Sequence, residues 1–178
     1  SDWSSDVCSS DLGLRETFQI GHVEIHPTDP NVVYVAALGR LWGDNEERGV
    51  YRTRDGGSTW QRVLFVDART GCIDVRVHPQ QPNVVLACMY ERKRDGFDGN
   101  DPSVRLAAGS GMYRSTDGGD TWQRVTAGLP SCTWGRSGLD VWAPEGDVMF
   151  AIVETERTGW AKGDRKDRLA TDPPDREP

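Results

Sequence analysis

No stretch of this chain carries the roughly 18 or more consecutive apolar residues that a membrane-spanning helix requires, so no such span is expected. Helical periodicity is absent from every long segment, which argues against a helical domain. Only four cysteines and three histidines occur. Outside the first twelve residues the cysteines are Cys72, Cys88 and Cys132, an odd number without metal-ligand spacing. Cys72 and Cys88 fall within apolar strand-like runs and read as buried thiols. His26 and His78 occupy equivalent positions of a repeat, each before a proline, and read as turn groups, while His22 stands alone. No metal and no cofactor is expected. The formal net charge of −7 argues against a nucleic-acid surface.

What the chain does hold is one short pattern written twice. It reads TRDGGSTW at 53–60 and STDGGDTW at 115–122, and both copies continue as Gln-Arg-Val. The residues before them match too, Gly49-Val50-Tyr51-Arg52 against Gly111-Met112-Tyr113-Arg114. An internal repeat dictates architecture, so it is read first. Each copy has the physics of a tight hairpin. A strand enters, Asp-Gly-Gly turns, and Thr-Trp-Gln-Arg-Val leaves. Glycine supplies the positive φ that such turns need. The carboxylates of Asp55 and Asp117 suit the turn's backbone N–H groups, and Trp60 and Trp122 offer large rings to bury. Calcium binding or acid catalysis is the competing role for the two aspartates. A turn repeated at each copy favours structure, so Thr53, Asp55, Gly57, Thr59 and Trp60, with Ser115, Asp117, Gly119, Thr121 and Trp122, are expected to be structural.

A second repeat precedes each box: HPTDPNVVYVAAL at 26–38 and HPQQPNVVLACMY at 78–90. The spacing from this repeat to the box widens in the second copy, which places an insertion within 91–110. A third partial copy runs over 139–154. The period is near that of a four-stranded propeller blade. Strands rich in Val, Ile, Tyr and Trp, bounded by Gly, Pro, Asn and Asp, are predicted near 21–26, 32–38, 49–54 and 59–66. The next blade follows at 72–78, 84–91, 111–116 and 121–126, and a last one opens at 137–142 and 147–154. The expected fold is all-β: a partial β-propeller with two full blades and the start of a third over 13–154. Two and a half blades cannot close a ring of roughly four to eight, so the chain is expected to be a fragment of a larger ring.

The flanks differ. Residues 2–12, DWSSDVCSSDL, are the translation of a nucleotide string that resembles a short-read sequencing adapter, so 1–12 is expected to be an adapter-derived or disordered leader. The segment 155–178 is charged and proline-containing, and lacks a third box. It reads as a linker or the start of an insertion.

The box resembles the Asp-box, or BNR repeat, of β-propeller proteins. With the His-Pro, Pro-Asn-Val-Val and Leu-Trp-Gly segments it resembles, over 13–154, bacterial proteins with sortilin-like Asp-box propellers, many of them labelled glycosyl hydrolases. Sialidases, xyloglucanases, sortilins and a photosystem assembly factor share the box alone. The resemblance implies a large secreted or periplasmic propeller whose boxes lie on the face away from the ligand. The loops at 39–48, 91–110, 67–71 and 127–136 then share the opposite, ligand-facing side, and the insertion falls there. Loops on a rigid scaffold are the usual place for function.

That face is expected to offer Trp42, Phe97 and Trp134 for stacking. Its carboxylates are Glu16, Asp44, Glu46, Glu47, Asp67, Asp95 and Asp98. Arg15, Arg69 and Arg136 precede successive inner strands and suit an anionic group. Asp74 and Asp140, equivalent on inner strands, read as structural acceptors. The ligand-binding candidates are therefore Trp42, Asp67, Arg69, Trp134 and Arg136, with no catalytic residue selected. Two functions remain open. One is a scaffold binding a peptide, protein or glycan through these loops. The other is a glycoside hydrolase, xyloglucanase-like, whose carboxylate pair is completed by the remaining blades of the parent chain. Such a pair stands about 5–5.5 Å apart if retaining or about 6.5–9.5 Å if inverting. The Arg-Ile-Pro segment that would resemble a sialidase is absent. This segment alone is expected to be inactive.

Overall fold

The computed structural model describes residues 13–94, 104, 106–142 and 148–156. The leader 1–12, the stretch 95–103 with Asp95, Phe97 and Asp98, and the tail 157–178 lie outside the described residues. The described residues form three antiparallel sheets. The first joins β1 (Gln19–Ile25), β2 (Val33–Gly39), β3 (Gly49–Thr53) and β4 (Gln61–Leu64) in sequence order. The second repeats this with β5 (Thr70–Val77), β6 (Val85–Glu91), β7 (Gly111–Ser115) and β8 (Gln123–Val125). The third holds β9 (Trp134–Val141) and β10 (Met149–Thr155). This is the all-β partial propeller read from the repeat, two four-stranded blades and the opening of a third. Among the described residues no helix is long and apolar enough to cross a membrane. β10 runs to Thr155, into the segment assigned to the linker.

Period-two patterning decides where the core sits. On β6, Val85, Ala87 and Met89 point to one side, where they meet Tyr34, Ala36 and Val50 of the first blade. Leu86, Cys88 and Tyr90 point to the other, where they meet Trp134 and Leu139 of the third. Successive side chains of a strand face opposite sides of its sheet. A central blade therefore reads as continuously apolar, and β6 is buried along its whole length. The core lies between blades rather than within one. Each large side chain buried there contributes about 1.5–3 kcal/mol. Cys72 and Cys88 are free, buried thiols of this core, and burial raises both, Cys88 to about 12.

The His-Pro turns are built alike. Nδ1 of His26 accepts the backbone N–H of Thr28 (3.3 Å) and Asp29 (3.1 Å). Nδ1 of His78 accepts those of Gln80 (3.2 Å) and Gln81 (3.1 Å). Both imidazoles cap the connection from the first to the second strand of their blade.

Candidate functional site

The two boxes are turns tied together by one carboxylate each. Oδ1 of Asp55 accepts the backbone N–H of Thr59 (2.8 Å) and the hydroxyl of Thr53 (2.7 Å), and Oδ2 accepts the hydroxyl of Thr59 (2.5 Å). The hydroxyl oxygen of Thr53 also accepts the N–H of Gly57 (2.9 Å). Asp117 repeats this with Thr121 and Ser115, and Ser115 accepts the N–H of Gly119 (2.7 Å). Gly56, Gly57, Gly118 and Gly119 all have φ between 68° and 95°, the left-handed region that a side chain resists. Trp60 and Trp122 lie half-buried against the core, and Trp122 donates its indole N–H to the Gly119 carbonyl (3.0 Å).

These bonds stabilise the ionised carboxylates. Those from Thr59, followed by that from Thr53, hold Asp55 at about 2 instead of 3.8. Those from Thr121 and then Ser115 hold Asp117 well below the usual range. A group depressed on folding stabilises the native state above its unfolded pKa and loses that contribution as pH falls through its folded one. Stability is therefore expected to decline as pH drops from about 4 to about 2. The double variant Asp55→Ala/Asp117→Ala should start less stable and show a flatter decline over this range in urea titrations at each pH. An unchanged acid limb would show that the boxes do not carry it.

The second box also joins two blades. Arg52, only 2% exposed, reaches from β3 to donate to the Gly118 carbonyl (2.5 Å) and the Asp120 carboxylate (2.8 Å). Arg54 pairs with the same carboxylate, and the hydroxyl of Tyr34 donates to Gly118 (2.7 Å). The two guanidiniums, Arg52 first, lower the pKa of Asp120. The first box has Ser58 where the second has Asp120.

On the opposite face the β2–β3 loop is organised from beneath by Arg48. This buried guanidinium donates to the carbonyls of Leu38 (2.9 Å), Arg40 (3.3 Å) and Gly43 (3.1 Å). Burial lowers its pKa. Trp42 sits on this loop with its side chain 48% exposed. Asn45 ties the loop to the β4–β5 turn through the Ala68 carbonyl (2.8 Å). Within that turn Asp67 accepts the N–H of Arg69 (2.8 Å). Arg69 pairs with buried Glu91 (3.2 Å), which also accepts the N–H of Gly109 (2.8 Å). Glu16 pairs with Arg40 (3.2 Å), and Glu47 accepts the N–H of Glu16 (2.8 Å). Arg15, Asp44 and Glu46 are exposed.

Trp134 requires correction. It was expected to offer its ring to a ligand. It is 5% exposed, packed with Leu86, Tyr90 and Leu139, and its indole N–H donates to the Pro130 carbonyl (3.0 Å). The ring belongs to the core and its polar edge is spent inside the protein.

Arg136 is exposed, and it stands where two cavities meet. One, of about 590 Å³, lies between β5 and the β9–β10 sheet and reaches His22 and Asp74. His22 is not isolated. Its ring lies 3.2 Å from Glu24, 3.0 Å from Arg76 and 3.8 Å from Asp74. Asp74 spends Oδ2 on the backbone N–H of Leu139 (2.8 Å), one blade on, whereas Asp140 accepts from its neighbour Val141 (2.9 Å). The other cavity, of about 490 Å³, opens beside Phe18 and Gln19 and is walled by Arg92, Arg94 and Arg136. Sequence reasoning missed Arg92 and Arg94, although Arg92-Lys93-Arg94 is a legible basic run at the end of β6. Among the described residues no group of three or more His, Cys, Asp or Glu side chains is arranged to hold a metal ion.

The fold is similar to that of a GH74 xyloglucanase from Xanthomonas campestris, with a TM-score of 0.50 and 21% identity over 80% of this chain and 22% of that one. An ancestral GH74 enzyme is matched with a TM-score of 0.48 and 16% identity over 70% of this chain and 15% of that one. The chain thus spans less than a quarter of either solved structure. No curated protein matches it. The family model Sortilin-Vps10, described as sortilin, neurotensin receptor 3, matches residues 10–171. Repeated boxes, blade-wise sheets and this match over nearly the whole sequence place the chain in the Sortilin-Vps10 family.

Proposed function

We propose that the chain is part of a non-catalytic propeller scaffold. It would hold a peptide, protein or glycan on the face built by the β2–β3, β4–β5, β6–β7 and β8–β9 connections. The observation that carries this is a division of labour among the polar groups there. Asp67, Glu16, Glu47 and Glu91 are engaged in holding loops, while the Trp42 ring and the Arg136 side chain are presented outward. Among the described residues the carboxylates with a marked shift, Asp55, Asp117 and Asp120, shift down and lie in or beside the boxes, where they hold turns and join blades.

Further blades of a parent chain are the natural covering for the third sheet. β10 has β9 on one edge and no described strand on the other, and Phe150 and Ile152 are 64% and 82% exposed. A sheet edge and an apolar face of this kind call for pairing or cover. A secreted or periplasmic location accords with the family reading.

The test expresses the parent and this chain and screens oligosaccharide hydrolysis beside peptide and glycan binding. Trp42→Ala and Arg136→Ala should each weaken binding, with no turnover by the parent. Asp67→Ala and Arg69→Ala should act through loop order, seen as faster amide exchange at 65–70. If the parent cleaves a glycan, and Asp67→Ala abolishes cleavage while binding persists, the hydrolase reading replaces this one.

A further inference from the structure

Three arginines from two blades converge on one cavity. Arg92 and Arg94 leave the end of β6, and Arg136 lies near the start of β9. Nε of Arg92 and Nε of Arg94 are both buried without a hydrogen-bond partner. Burial, and after it the charge of Arg94, lower the pKa of Arg92; Tyr90 opposes this, and Arg136 adds a smaller lowering. Arg92 also donates to the side-chain oxygen of Gln19. Glu91, next in sequence, is taken by Arg69 and Gly109. Glu154, on the adjoining cavity, accepts the backbone N–H of Arg136 (3.1 Å). A chain with a net charge of −7 has thus concentrated positive charge at one opening.

We propose that the cavity walled by Arg92, Arg94 and Arg136 is a binding site for the oxyanion of an acidic glycan, a uronate carboxylate or a sulfate. This deepens the scaffold reading and rests on it. The planar guanidinium fork matches a carboxylate or sulfate with paired N–H donors, and it does so best where water is partly excluded. Convergence of like charges costs energy, and an oxyanion held in the cavity would offset it. The choice of a glycan follows from Phe18, which lines the same cavity with a side chain 72% exposed. An apolar ring next to a guanidinium fork suits a pyranose, whose C–H face stacks while its acidic substituent is held. An acidic peptide side chain has no such face.

The experiment titrates the intact chain with four hexamers: hexagalacturonate, a heparin hexasaccharide, neutral cellohexaose and hexaglutamate. Hexagalacturonate, the heparin hexasaccharide or both should bind, and which of them does so separates carboxylate from sulfate recognition. Cellohexaose and hexaglutamate should bind at least about tenfold more weakly, a difference well within what charge-assisted pairing supplies. Arg94→Gln/Arg136→Gln should weaken acidic-glycan binding by about tenfold or more. Arg92, the more buried group, is left in place so that folding is preserved. Phe18→Ala should weaken binding several-fold. Arg54→Gln/Arg114→Gln removes the same charge from the box-bearing face and should leave affinity within about twofold. Melting curves confirm that each variant is folded. Equal binding of hexaglutamate, equal loss in the control double variant, or no binding of either acidic glycan would overturn the assignment. A neutral glycan or peptide still held through Trp42 would then leave the scaffold reading standing, whereas hydrolysis by the parent would remove the scaffold reading itself.

Discussion

Replacing Trp134 by Ala is expected to lower the stability of the chain by about 3–5 kcal/mol, the range for emptying a buried aromatic site. The ring fills the seam between the second and third blades, among Leu38, Ile73, Leu86, Tyr90, Met112 and Leu139. Its removal leaves a void that neighbouring strands, fixed by their own ladders, close only in part. The Pro130 carbonyl loses its donor as well. Trp42→Ala makes the contrast. That ring is half-exposed on a loop organised by Arg48, so its loss should change stability by no more than about 0.5 kcal/mol. Urea denaturation followed by circular dichroism measures both. A stable Trp134→Ala variant, or an unfolded Trp42→Ala variant, would reverse the assignment of one ring to the core and the other to the surface.

The blades were legible because period-two strands and a repeated turn are local signals. The predicted strands fall within a few residues of the observed ones, and Asp55 and Asp117 needed only their own turns to be read as caps. Trp134 shows where that reading stops. The last inner strand was predicted to begin at 137, which left Trp134 at the end of a loop. The ladder begins earlier, because Trp134 pairs with Thr155 and accepts the N–H of Ala107 (2.9 Å). A boundary shift of a few residues turned a presumed surface ring into core. The arginine-walled cavity illustrates a different limit. Arg92 and Arg94 lie on the second blade, Arg136 on the third and Phe18 just before the first strand of the first. Nothing in their spacing along the chain brings them together, since only the packing of inner strands side by side does so. His22 was called isolated for the same reason, its partners Asp74 and Arg76 lying one blade away.

Gly71→Ala is expected to cost about 3 kcal/mol, the upper end of the range for inserting a methyl group into a closed core. The residue does not rely on a left-handed backbone, so the cost is one of space. A Cβ at this position would lie 2.5 Å from the carbonyl oxygen of Leu38 and 2.7 Å from its Cα. Both are main-chain atoms of the neighbouring blade, and neither can swing aside as a side chain would. The first and second blades must therefore move apart along the seam that holds Tyr34, Val50, Val75 and Met89. The Leu38 carbonyl is also the acceptor for Arg48, which gathers the loop carrying Trp42. Displacing Leu38 should thus loosen that loop, so amide exchange across 40–48 should quicken along with the loss of stability. Gly138→Ala is the control. It is another inner-strand glycine, and its nearest neighbour would be the Asp74 carboxylate at an ordinary 3.8 Å. If Gly71→Ala proves no more costly than Gly138→Ala, the two blades are not in backbone contact at this point. The link from blade packing to the order of the β2–β3 loop would then fail with it.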